Sequence, residues 1–122
     1  MNYWTFESVK GQTKESCLMV VKKDGFALEH VKEQTEEICL IAVQQNGYAL
    51  QYVKEQTEKI CLTAVQRNGY ALQFVEEQTE EICLTAVQQN GLALRYVKDE
   101  KMKENIKYYI KNPHNKIKKA FV

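Results

Sequence analysis

Apolar and polar positions along this chain recur with a step of 22 residues, most plainly in TEEICLIAVQQNGYALQYVKEQ, residues 35–56. Cys17, Cys39, Cys61 and Cys83 keep that step, and so do Gly25, Gly47, Gly69 and Gly91, which sets four units at 13–34, 35–56, 57–78 and 79–100. A period of this size is the signature of supersecondary units that stack on one another. Units two and three are identical at 17 of 22 positions, as are units two and four, so duplication alone accounts for the likeness.

Each unit carries its own start and stop signals. Thr35 is an N-cap residue whose hydroxyl can take an unpaired backbone N–H, and Glu36 and Glu37 fall in the first turn, where the helix dipole favours negative charge. At 100° per residue Ile38, Cys39, Leu40, Ala42 and Val43 fill a wide apolar arc, while Glu37, Ile41, Gln44 and Gln45 lie opposite. The wide arc predicts packing neighbours on two sides. Asn46 and Gly47 then stop the helix, with Gly47 expected in the left-handed conformation at C′ and Tyr48 packing back on Val43. Asn-Gly is also a hairpin signal, but its flanks AVQQ and YALQ lack strand alternation. The second segment, YALQYVKEQ, predicts a helix of about two turns with Ala49, Leu50 and Val53 on one face and Tyr48 stacked on Tyr52 at i, i+4.

A hairpin this small cannot bury a core alone, so the predicted fold is all-α: short helical hairpins stacked into a uniformly wound α-solenoid, roughly 40–50 Å long. A leucine-rich repeat is the competing pattern, with Asn46 at its asparagine. Its inward strand positions would then include Thr63 and Thr85, which such a site rarely accepts.

The ends depart from the unit. Residues 1–12 match the second half of a unit, Val9 with Val31 and Gln12 with Gln34, and Trp4 and Phe6 replace smaller residues, as expected of an element covering an otherwise open repeat face. After residue 100, Lys101 stands in the place of the cap threonine, and Met102, Ile106, Tyr109 and Ile110 form a helical stripe, predicting a capping helix over 101–111. Asn112 and Pro113 stop it. A basic tail, 112–122, follows.

The string ICLIAVQQNGYALQYVKEQTEK, residues 38–59, with landmarks at Ala42, Val43, Asn46, Gly47, Ala49 and Leu50, resembles the repeats classed as domain of unknown function 4116, abundant in giant viruses of amoebae and present in some bacteria. The resemblance spans Thr13 to about Glu100, with unit one divergent at Ser16, Val20 and Asp24. It implies an α-helical repeat protein, and a viral source would place it in the host cytoplasm. It brings no established activity and no catalytic residues.

Composition adds little except in charge. The chain has 44% apolar and 27% charged residues, which is ordinary for one globular domain, and no long apolar run, so an intracellular, non-membrane protein is expected. Its net charge of +1 divides unevenly: residues 1–97 hold 9 Lys/Arg against 13 Asp/Glu, and residues 98–122 hold 8 Lys against 3 acids. The repeats are acidic and the tail is basic, with Lys107, Lys111, Lys116, Lys118 and Lys119 as its positive run.

No Walker loop, HExxH, CxxC or GxGxxG occurs, and His30 with His114 and Ser8 with Ser16 are little material for a nucleophilic triad, so no enzyme and no cofactor are expected. The cysteines mark equivalent points on helices about 8–10 Å apart, too far for disulfides and too dispersed to converge on one metal ion. They are expected as buried free thiols. Glu36 and Glu37 are adjacent, hence about 100° apart on a helix, and are explained by the dipole without a catalytic role.

Two surfaces remain. Stacking aligns Gln44, Gln66 and Gln88 in one column, Gln45, Arg67 and Gln89 in the next, and Glu37, Lys59 and Glu81 a turn earlier, giving an extended strip of the kind on which solenoids bind partners. The aromatic row Phe26, Tyr48, Tyr70 with His30, Tyr52, Phe74, Tyr96 can stack nucleobases but is better explained as packing between units. The expected function is a non-enzymatic scaffold for an unidentified protein partner. The alternatives are a modular nucleic-acid binder, opposed by the acidic body and favoured only by weak contact through the tail, and self-association through an imperfectly capped end.

Overall fold

The computed structural model describes residues 11–113, so the half-unit residues Trp4 and Phe6 and the tail lysines Lys116, Lys118 and Lys119 lie outside the described residues. Among the described residues there is no strand. Within the described residues, five α-helices, α1 (Lys14–Lys23), α2 (Glu36–Gln45), α3 (Glu58–Arg67), α4 (Glu80–Gln89) and α5 (Glu100–Lys111), alternate with four six-residue 3-10 helices: Gly25–His30, Gly47–Tyr52, Gly69–Phe74 and Gly91–Tyr96. Each unit is one α-helix followed by one 3-10 helix. Successive units stack α on α and 3-10 on 3-10, and each α-helix also packs on the 3-10 helix before it. The leucine-rich alternative is excluded.

The helices begin where the caps were expected. The hydroxyl oxygens of Thr35, Thr57 and Thr79 each accept a hydrogen bond from the backbone N–H three residues on, at 3.2 Å. Thr13 does the same within a capping box closed by Ser16. For α5 the expected cap position shifts: the helix starts at Glu100, and Asp99 caps it by accepting from the Met102 N–H at 2.8 Å. A carboxylate on the positive end of the dipole outcompetes Lys101 for this role.

The second arm corrects the expectation of two α-helical turns. In the 3-10 helix residues three apart line up, and Gly47, Leu50 and Val53 fall on one buried line, whereas Gln51 and Lys54 face out. Six residues at about 2.0 Å rise span about 12 Å, the reach expected of the α-helical arm, achieved with fewer residues. Asn46 organises the junction. Its extended backbone (φ −154°, ψ 111°) ends α2, its side chain accepts from the Tyr48 N–H at 3.0 Å, and its carbonyl accepts from the Ala49 N–H at 2.8 Å.

The left-handed C′ glycine is therefore also corrected: none of Gly25, Gly47, Gly69 and Gly91 adopts positive φ. The reason for glycine is close approach. A Cβ on Gly25, Gly47 or Gly69 would lie 2.5, 2.7 or 2.5 Å from the carbonyl oxygen of Ala42, Ala64 or Ala86 in the next unit. Each α-helix thus crosses beneath the preceding glycine, and the alanines at the crossing are fully buried. The tyrosine stack within a unit is likewise replaced by pairing between units: Phe26 meets Tyr52, Tyr48 meets Phe74 and Tyr70 meets Tyr96 edge to face, with ring centroids 5.8 to 6.1 Å apart.

The core is one continuous ribbon of Ile38, Cys39, Ala42, Val43, Ala49, Leu50, Val53 and their counterparts. At its C-terminal end α5 rests on α4, where Ile106 is fully buried and the Asn105 amide donates to a Glu80 carboxylate oxygen at 3.3 Å. Leu84 is fully buried while Leu18, Leu40 and Leu62 are half-buried, and α5 is the element that distinguishes its surroundings. The expected stripe holds only in part, because Ile110 is 47% exposed. Capped by Asp99, α5 is set two residues ahead of the repeat's phase, so that Ile106 stands where Ala86 stands in α4, and among the described residues nothing lies within 4 Å of a Cβ on Gly91.

Substituting Gly47 by Ala should cost about 1–3 kcal/mol, because a backbone oxygen must move to admit the methyl group. Gly91→Ala should be neutral or stabilising by up to about 1 kcal/mol, since it meets nothing and narrows the unfolded ensemble. Urea unfolding of the two variants checks this; equal losses would contradict the close-approach account.

Candidate protein-interaction surface

The outward face of α2, α3 and α4 carries the strip expected from the sequence. Gln44, Gln66, Gln88, Gln45, Arg67, Gln89, Glu37 and Lys59 are exposed, and Glu81 is half-buried. Not all are equally available. The Arg67 Nε–H donates to the Gln44 carbonyl at 3.0 Å, and the Gln89 Oε1 accepts from the Gly69 N–H, so this column is partly turned toward the preceding unit. Glu37 pairs with Lys14 of unit one at 3.0 Å, a bridge exposed on both sides and worth little to stability. The side chains of Gln44, Gln66 and Gln88 make no hydrogen bond within the described chain. They form the column free to pair with something else.

Between that column and the helix starts runs a line of Met19, Ile41, Thr63 and Thr85, from apolar in unit one to hydroxyl-bearing in units three and four. The Thr63 hydroxyl donates back to the Lys59 carbonyl at 2.8 Å, which satisfies it within the helix. At the helix N-termini the unit junctions open into three grooves of about 590, 460 and 300 Å³. Lys14 and Lys32 line the first, and Glu58, Glu76 and Glu77 line the third without a cation. The aromatic row presents edges already engaged by neighbouring rings, so it is packing rather than a stacking platform.

The residues that the sequence reading passed over are glutamines of another kind. Gln34 donates from Nε2 to the Tyr52 carbonyl at 2.8 Å and accepts at Oε1 from the Lys54 N–H at 2.9 Å, so one side-chain amide bridges the backbone on either side of Val53 in the next unit. Gln12, Gln56 and Gln78 repeat this bridge around Val31, Val75 and Val97. The signal lies in the chain as the invariant glutamine before each Thr, at positions 12, 34, 56 and 78. Sequence periodicity marks it, but only the fold reveals what it reaches.

All four cysteines are buried free thiols. The thiols of Cys39, Cys61 and Cys83 point at the bridging amide oxygens of Gln34, Gln56 and Gln78, at 3.4 to 3.6 Å. That contact needs the proton in place. Burial pushes Cys39 and Cys61 up to about 11, with Glu36 adding at Cys39 and Glu76 and Glu58 at Cys61. Burial, then Glu80 and Asp99, pushes Cys83 up to about 12, and burial also raises Cys17. Among the described residues no group of three His, Cys, Asp or Glu side chains is placed to hold one metal ion, and no helix is long and apolar enough to cross a membrane.

The model of the family described as Domain of unknown function (DUF4116) matches residues 13–56 and again 57–103, two units at a time. No curated protein and no solved structure matches the chain.

The thiols make stability fall on the alkaline side. An unfolded cysteine loses its proton near pH 8.5, whereas the folded ones hold theirs to about 11 or 12, so between these values the folded state binds more protons and rising pH favours unfolding. Each thiol contributes up to about 1.4 kcal/mol per pH unit in that window and nothing below it. Urea midpoints at pH 7.5 and pH 10 should therefore separate more for the wild type than for Cys61→Ala; an equal separation would remove the thiol from the account.

Proposed function

The chain belongs to the family described as Domain of unknown function DUF4116, and on that premise we propose that it is a non-enzymatic scaffold that binds a protein partner along the outward face of α2, α3 and α4. The observation that carries this reading is the column of Gln44, Gln66 and Gln88: three exposed amides, one per unit, with no partner in the described chain. An amide offers a donor and an acceptor together, so a column of them suits an extended partner with backbone or polar groups at matching intervals. The units beneath are tied by the bridging glutamines and by the glycine crossings, so the column's spacing is preset and little ordering entropy is lost on binding. Protonated, unpaired cysteines support a reducing, intracellular site of action.

Nucleic-acid contact is confined in this reading to the C-terminal end. Lys107 and Lys111 are exposed on α5, and Lys107 already pairs with Glu104 at 3.3 Å, while the repeat body is acidic. Such binding is weak, nonspecific and salt-sensitive.

The test is a triple substitution, Gln44→Ala, Gln66→Ala and Gln88→Ala, which touches only exposed positions. Capture of the protein partner from native cells should be lost with the circular dichroism melt unchanged. Residual DNA binding should persist with a log–log salt slope of roughly −4, falling on removal of residues 112–122. Sequence-preferring nucleic-acid binding that survives tail removal and is lost in the triple variant would overturn the proposal.

A further inference from the structure

Three of the glycine landmarks follow an asparagine, at Asn46-Gly47, Asn68-Gly69 and Asn90-Gly91. An asparagine before glycine is the link most open to attack by its own backbone, because the nitrogen that follows carries no hindering side chain. The chain's other asparagines precede Tyr3, Ile106, Pro113 and Lys116, whose side chains crowd that nitrogen or, in proline, replace its proton. The three Asn-Gly asparagines are folded alike. Each is half-buried with extended backbone (φ −152° to −154°, ψ 111° to 112°), and each side-chain oxygen accepts from the N–H two residues on at 3.0 Å. What differs is the surroundings of the glycine.

Gly47 and Gly69 are buried against the next α-helix, with the Ala64 and Ala86 carbonyl oxygens 2.7 and 2.5 Å from where a Cβ would stand. The Gly69 N–H also donates to the Gln89 Oε1 at 2.6 Å. For reaction the peptide plane must turn until the glycine nitrogen, stripped of its proton by water or hydroxide, stands about 3–3.5 Å from the side-chain carbonyl carbon. At Asn46 and Asn68 that turn drives the glycine into the crossing helix, so reaction waits for two units to part. Gly91 is exposed and Leu92 beside it is 67% exposed, so Asn90 needs only its own cap bonds to open.

We infer that Asn90 is a site of spontaneous covalent modification, where the Gly91 nitrogen closes a succinimide ring that water opens to aspartate or isoaspartate. The bond from the Gly91 nitrogen to the Asn90 Cγ forms and the Cγ–Nδ2 bond breaks. The proton shed by the backbone nitrogen balances the one taken up by the departing amide, which leaves as ammonia. One water then cleaves either ring C–N bond, giving aspartate when Cγ is released and isoaspartate when the main-chain carbonyl carbon is released. The two products differ in consequence. Unit one carries Asp24 in this place, and its carboxylate accepts from the Phe26 N–H at 2.9 Å, so aspartate keeps the cap. Isoaspartate turns the carbonyl that accepts from the Ala93 N–H at 2.8 Å into a free carboxylate on a lengthened main chain, and the 3-10 helix Gly91–Tyr96 loses the bond that starts it. Unit four is the part of the array that ages. The glutamine column plays no part in this chemistry.

Peptide mapping by mass spectrometry of the full chain stored at neutral pH, with aspartate and isoaspartate distinguished, tests it. In the folded protein Asn90 should convert roughly tenfold or more faster than Asn46 and Asn68, following the difference in opening, whereas in urea the three should convert at similar rates. Gly91→Ala is the informative variant: its methyl group meets nothing among the described residues, yet it crowds the attacking nitrogen, so conversion at Asn90 should slow severalfold with melting preserved. Asn90→Asp should melt like the wild type, as the aspartate product requires. Asn90 staying as intact as Asn46 and Asn68 in the folded chain, all three converting there at one rate, conversion undiminished in Gly91→Ala, or Asn90→Asp melting well below the wild type would overturn the inference.

Discussion

The structure depends on a side-chain amide that completes the backbone of its neighbour. In each unit the 3-10 helix ends at a buried valine, flanked by a carbonyl and an N–H that no helix satisfies. Runs of 3-10 helix beyond three or four residues are uncommon, and a ten-residue α-helix alone is marginal in water. The glutamine of the preceding unit takes both groups at once, the half-buried carbonyl and the more exposed N–H, and leaving the carbonyl unpaired would cost about 1–3 kcal/mol. Because donor and acceptor come from adjacent units, local structure and stacking form together. The cysteine thiol beneath adds a donor to the same amide oxygen, which is why burial that keeps it protonated serves the junction.

The two sides of the described array differ in whether the rule holds. At the N-terminal side Gln12 still bridges to His30 and Lys32, so unit one is tied on like the others despite its divergent Ser16 and Val20. At the C-terminal side Glu100 stands in the bridging glutamine's place, and α5, capped by Asp99, rests on α4 with no crossing alanine. The glycine landmark outlasts the contact it serves elsewhere. A glycine with nothing across it among the described residues separates unit four from the interior of the array.

Much of the fold was legible because the period multiplied weak signals. Thr35 with acid in the turn that follows is a modest cap signal alone and a strong one when Thr13, Thr57 and Thr79 repeat it. The core followed from the wide apolar arc, and the buried thiols from helix spacing. The second arm is ambiguous in sequence because YALQYV satisfies an i, i+4 pairing of Tyr48 and Tyr52 as well as the spacing of three between Gly47, Leu50 and Val53 that the fold uses. Local rules point Gly47 to a left-handed cap because they consider only the residue's own φ, whereas the close approach comes from Ala64, 17 residues away. The exposed glutamine column was visible from helical phase. That Arg67 and Gln89 turn partly toward the preceding unit was not, since it depends on how two units face each other.

The central claim is that the glutamine amide couples neighbouring units, and native-state hydrogen exchange of Gln56→Leu tests it most directly. Leucine keeps the bulk and removes both hydrogen bonds, to the Phe74 carbonyl and from the Glu76 N–H. The account predicts that the Glu76 amide exchanges roughly 5- to 150-fold faster, the equivalent of about 1–3 kcal/mol, while the Lys54 and Lys98 amides, bridged by Gln34 and Gln78, keep their protection. A Glu76 amide that stays as protected as those two would show that packing alone holds the junction and would contradict the account.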